Sequence, residues 1–101
     1  MAVEFDWDEE KSERNVVERG LPFSLAEALF QSSVWERPDT RKDYGELRVR
    51  AFGVIRGRLF VCVYTDRIVS ARNVRWIISL RKANGREVRQ YHDWIEIENG
   101  Q

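Results

Sequence analysis

The chain of 101 residues contains one cysteine and one histidine. A lone Cys62 cannot close an internal disulfide, and its place inside the apolar run LFVCVY reads as a small buried hydrophobe. Neither Cys62 nor His92 recurs at the paired spacing a zinc site needs, so neither a metal nor another cofactor is expected. Phosphate loops are missing too: GVIRGR has glycines, but not at the spacing of a P-loop or a dinucleotide fingerprint. No serine has a histidine nearby in sequence to activate it, which leaves a serine nucleophile without support. No apolar run approaches the ~20 residues of a membrane span. The opening MAVEFDWDEEKSER is acidic where a secretory leader needs a basic region ahead of an apolar one, so the reading is a cytoplasmic protein with no membrane partner.

Net charge is missing as well, with 17 bases against 17 acids, but the cancellation hides a segregation. Residues 1–36 carry nine acids and three bases, residues 37–82 twelve bases and four acids, and residues 83–101 two bases and four acids. A middle segment this basic attracts polyanions even in a neutral molecule, because the local field governs encounter. The 43% apolar content, with 12% aromatic residues, excludes disorder. Length and composition together predict one folded domain over residues 1–101 with one core.

Local signals predict an α+β domain: two N-terminal helices, a three- to four-stranded antiparallel sheet and a C-terminal helix. FDWDEEKSERNVVERG reads as a helix that Asp6 or Asp8 caps and that Gly20 stops in the left-handed region. LPFSLAEALFQSS reads as a second helix, with Ser24 and Glu27 at capping-box spacing. ELRVRAFGVI alternates, with Leu47, Val49, Ala51 and Ile55 on one face and Arg48 and Arg50 on the other. RGRL is a tight turn into LFVCVYT, whose unbroken apolar run marks a central strand covered on both sides. VRWIISL is a third long strand after the polar stretch DRIVSARN, and Val34 to Glu36 suits a short edge strand. In the closing ANGREVRQYHDWIEIENG, Asn84 and Glu87 repeat the capping-box spacing, and Val88, Tyr91 and Ile95 recur at helical intervals.

The chemistry this inventory permits centres on arginines carried by strands, together with Tyr64, Tyr91, Glu46 and Lys82. Arginine presents a planar fork to phosphate oxygens and stays charged at any ordinary pH, but is a poor general base. RNA supplies its own nucleophile, the 2′-hydroxyl, so alignment and charge neutralisation with modest proton management suffice to cut it. Arg81, beside Lys82 and the amides opening the last helix, is placed to hold a phosphate. The competing reading is a non-catalytic basic module that binds nucleic acid or an acidic protein.

The residues also resemble a family. Phe5, Asp6, Trp7, Asp8, Lys11, Asn15, Gly20, Phe23 and Ala26 match the opening pattern of the BrnT toxins. Gly45, Glu46 and Arg48, then Gly57 and Arg58, then Tyr64, Thr65 and Arg67, continue it in order. Ile77, Ile78, Ser79, Arg81, Lys82 and Ala83 follow, ending with the Glu87 and Tyr91 spacing. The resemblance implies the toxin of a type II toxin–antitoxin pair: a metal-independent endoribonuclease of RelE-like fold that cleaves RNA and inhibits translation. It also implies a cognate ribbon-helix-helix, BrnA-like antitoxin, through which alone the pair contacts operator DNA. On this reading Arg48, Arg67 and Arg81 bind and neutralise the scissile phosphate, Glu46 or Tyr91 manages protons, and Lys82, Arg58, Arg75 and Arg50 hold RNA. The chain departs from the family pattern at Trp76, where arginine is usual, at Arg19, where histidine is usual, and at Leu80, which replaces a small residue. Arg75 beside Trp76 is not a simple replacement, since adjacent strand residues face opposite ways.

Overall fold

A computed structural model describes residues 3–100; the ends of the expected domain, at 1, 2 and 101, lie outside the described residues. The elements run β1 (Glu4–Trp7), α1 (Glu9–Arg19), α2 (Leu25–Leu29), β2 (Trp35–Pro38), β3 (Val49–Ile55), β4 (Arg58–Val69), β5 (Arg72–Lys82) and α3 (Gly85–Asn99). The five strands form one sheet in the order β1-β5-β4-β3-β2.

The α+β class holds, but the sheet has five strands and is mixed. The expected first helix begins only at Glu9, because Glu4–Trp7 pairs parallel to β5 from Val74 to Ile77. Phe5 and Trp7 turn toward the core while Glu4 and Asp6 alternate outward, a period-2 pattern over four residues that the following helix signal masks. Asp6 therefore sits in a strand, and Asp8 alone caps α1, accepting from the amides of Glu10 at 3.0 Å and Lys11 at 3.4 Å. Gly20 ends α1 at φ 72°, where a side chain would be strained. The second helix is a single short turn, and Ser24 makes no side-chain cap bond.

Further expectations are met, and one is corrected. β2 is the short edge strand, and the RGRL turn places Arg56 and Gly57 at positive φ before β4. β4 is central, and Leu59 through Thr65 are all buried. The polar stretch DRIVSARN is no loop: β4 continues to Val69, and only Ser70 and Ala71 turn the chain into β5.

The one core expected from the sequence is divided in two, because β4 alternates and buries side chains on both faces of the sheet. Phe60, Cys62 and Tyr64 pack with Leu21, Phe23, Ala26 and Leu29 from the α1–α2 region. Leu59 and Val61 pack with Phe52 and with Tyr91 of α3, supported by Val88, Trp94 and Ile95. Asn15 ties the first layer together: its amide donates to the carbonyls of Leu21 at 2.7 Å and Leu80 at 2.9 Å, satisfying groups that burial would otherwise leave unpaired. The capping box at α3 forms as the spacing predicts, with Asn84 accepting from the Glu87 amide at 2.8 Å and Glu87 from the Asn84 amide at 2.9 Å.

Candidate nucleic-acid interface

Strand register decides which basic residues share a face. Directly opposed residues of an antiparallel pair lie on the same side of the sheet, and residues two apart along a strand do as well. Arg81 opposes Val61, Arg50 opposes Val63, and Arg67 lies two residues past Thr65 on β4, so all three belong to the α3 face. Arg48, just ahead of β3, is held on the same side by the Glu46 carboxylate it shares with Arg67. The result is a ladder of guanidinium groups running obliquely across β5, β3 and β4. From the rung of Val61 to Arg67 it spans about 20 Å at roughly 3.3 Å per residue. Of the three arginines expected at one phosphate, Arg48 and Arg67 stay together at one end of the track and Arg81 lies at the other.

Each end of the track has its own carboxylate. Glu46 accepts from Arg48 Nε at 3.1 Å and from Arg67 at 3.3 Å. Partial burial opposes charge on Glu46, but the hydrogen bonds from Arg48 and then Arg67 outweigh it, and the carboxyl titrates below its ordinary range. Arg48 also lies 4.1 Å over the Tyr44 ring and Arg67 5.0 Å over Trp76. Trp76, the departure from the family pattern, thus faces the track: it opposes Thr65 and carries Arg67 on its ring.

At the other end Arg81 donates to both oxygens of Glu87, at 2.8 and 2.9 Å. That hydrogen bond holds the Glu87 carboxyl below, and the Arg81 guanidinium above, its usual pKa. Between the two ends, the Arg41 guanidinium holds buried Asp39 through two bonds of 2.8 Å and lowers its pKa. The charge of Arg50 acts on both Asp39 and Glu87. Both carboxylates are already committed to other arginines, and Arg50 makes no ion pair among the described residues.

The other expected site residues go elsewhere. Arg75 opposes Asp66 on the opposite face, where it makes two bonds of 2.9 and 3.0 Å to that carboxylate and stacks on Phe30 and Tyr64. Simple alternation puts residues 75 and 81 on one face. An irregularity in β5, where Val63 opposes Ser79 but Tyr64 opposes Ile77, inserts Ile78 as an extra residue and flips the parity. Lys82 opposes Phe60 and so also lies on the far face. Arg58 opposes Ile55 at the β3–β4 turn, at the end of the sheet away from Arg67. Tyr91 is 8% exposed and packed in the core beneath α3, because its helical spacing with Val88 and Ile95 aims it at the sheet. His92 is exposed outside the track. Tyr64 donates its hydroxyl to Glu36, and burial, reinforced by that carboxylate, pushes its pKa up.

Sequence reasoning missed Asp39 and Arg41, paired within electrostatic reach of Arg50, and Arg37, which opposes Arg50 on β2. The available signal was the alternation of Trp35, Arg37 and Asp39, concealed by the proline between the last two. Among the described residues, no three His, Cys, Asp or Glu side chains gather as a metal site needs, and no helix is long and apolar enough to cross a membrane.

A small α+β domain whose helix-flanked sheet displays a cationic track is the class that fold and charge define. The profile of a family described as "Ribonuclease toxin, BrnT, of type II toxin-antitoxin system" matches residues 7–87. The chain belongs to this BrnT family. A search of curated proteins finds no match.

Proposed function

We propose that this protein is an endoribonuclease that cleaves RNA within the cytoplasm, inhibits translation, and is neutralised by a ribbon-helix-helix antitoxin. In this reading, operator DNA is reached only through that partner. The observation that carries it is the Glu46 carboxylate held between Arg48 and Arg67 at the open end of the track. A carboxylate kept ionised by two arginines accepts the 2′-hydroxyl proton as the 2′-oxygen attacks phosphorus. The arginines then neutralise the growing charge on the phosphorane oxygens. The P–O5′ bond breaks, the 5′-oxygen takes a proton from water while Glu46 releases the one it accepted to solvent, and the products are a 2′,3′-cyclic phosphate and a 5′-hydroxyl end. Arg81, bound to Glu87, and Arg50 extend the grip along the strand. They act as binding groups, a narrower role for Arg81 than at the scissile phosphate.

The test is cleavage of a generic single-stranded RNA by the wild type and by Arg67→Ala and Arg48→Ala. Loss of one such electrostatic donor is expected to slow cleavage by roughly a hundredfold or more. Binding of an uncleaved RNA with no product from the wild type would instead establish the non-catalytic module.

A further inference from the structure

Beside the track, between β2–β3 and α3, lies a cleft of about 460 Å³ into which Arg37, Arg50 and Arg86 all project. Trp35, Phe52 and Trp94 also line it, with Trp35 and Trp94 stacked at 5.8 Å between ring centroids, and Asp93 is its one carboxylate, so the three arginines leave the cleft a net positive charge. We propose that this cleft is a nucleotide subsite in which the three arginines grip a single phosphodiester, away from Glu46. This rests on the reading of the protein as an RNA-cleaving toxin and names where the strand is held outside the reacting linkage.

All three cations are placed against local rules. Arg37 and Arg50 directly oppose each other across β2 and β3, and like charges at opposed positions destabilise a sheet pair. Arg86 sits in the first turn of α3, where the helix dipole disfavours a cation. The Nε of Arg50 is buried and has no hydrogen-bond partner. None of the three joins an ion pair among the described residues; Arg37 and Arg50 have only the rings of Trp35 and Phe52 beneath them. Sites that break several local rules together mark function more often than accident. An anion in the cleft answers all three violations: it separates the opposed forks, suits the helix N-terminus and gives Arg50 Nε an acceptor. Arg50 opposes Val63 in the middle of the track and also lines the cleft, so the two share that residue. The volume falls within the ~300–1,000 Å³ of small-ligand sites, and Trp94 offers the base an apolar wall.

The experiment measures binding of a 2′-O-methyl single-stranded oligonucleotide, which cannot be cleaved, as a function of salt for the wild type, Arg37→Ala, Arg86→Ala and Arg37→Lys. Arg37 and Arg86 are exposed, so the alanine variants keep the fold; circular dichroism and melting check this. Each alanine variant should bind about tenfold more weakly, with the slope of log K against log salt shallower by less than the ~0.7 of one whole single-strand phosphate, since two arginines still hold it. Arg37→Lys should restore the slope but only part of the affinity, because lysine keeps the charge and loses the fork. Unchanged affinity and slope in both alanine variants would overturn the subsite even if the wild type cleaves RNA. A wild type that binds in this arginine-dependent way but never cleaves would keep the subsite and defeat the ribonuclease reading. Arginine-dependent binding of an acidic antitoxin peptide, with no oligonucleotide binding, would assign the cleft to protein and overturn the proposal.

Discussion

Arg81 and Glu87 grip each other through two hydrogen bonds, of 2.8 and 2.9 Å, which tie the end of β5 to the first turn of α3. The same carboxylate closes the capping box with Asn84, so one side chain fixes the helix start, the strand end and one end of the arginine track.

Replacing Glu87 with Ala removes both jobs and should cost about 2 kcal/mol, between the loss of a cap and that of a well-made buried pair. The pH dependence has a definite sign. Arg81 lowers the folded-state pKa of Glu87, so the stabilisation is complete above the unfolded value near ~4.3 and is lost as pH falls through the folded value. Urea melts of the wild type and Glu87→Gln at several pH values should show their stability difference shrinking through that acid window.

Glu46 carries the proton-transfer part of the mechanism. Glu46→Gln keeps the shape and a hydrogen-bonding oxygen but removes the base, so cleavage should fall by roughly 10²-fold or more. The acid limb of the wild-type rate profile should lie below the ordinary glutamate range and should vanish in the variant. A variant that cleaves at the wild-type rate would remove Glu46 from proton transfer.

On the far face, Arg75 is a packing and pairing residue. Arg75→Ala loses the Asp66 pair and the stacking on Phe30 and Tyr64, at a cost of about 1–2 kcal/mol. The melting temperature should drop by several degrees, while cleavage per folded molecule is unchanged.

Gly53 on β3 sits in tight space against the fully buried Leu29. A Cβ there would lie 3.0 Å from Leu29 Cγ and 3.1 Å from Val34 Cγ1. Gly53→Ala should therefore overpack the contact between β3 and α2 and cost about 1–3 kcal/mol, read from the denaturant midpoint.

Cys62 is fully buried, and burial pushes its thiol up to about 12. Iodoacetamide should modify it only through global unfolding, about 10³-fold or more below the rate in denaturant, consistent with its reading as a buried hydrophobe.

The sequence by itself determined the features that local chemistry dictates. The left-handed stop at Gly20, the Asn84–Glu87 box and the unbroken apolar run of β4 each act through residues a few positions apart, and each is legible without coordinates. The family pattern, running from Phe5 to Tyr91, was equally legible. Only the tertiary structure decided how the strands meet. It paired Glu4–Trp7 with a strand some seventy residues away, opposed Arg37 to Arg50, and used the extra residue Ile78 to send Arg75 and Arg81 to opposite faces. Side-chain parity passes from strand to strand only through register, and one inserted residue reverses it, so the grouping of charges into a track was fixed by long-range pairing.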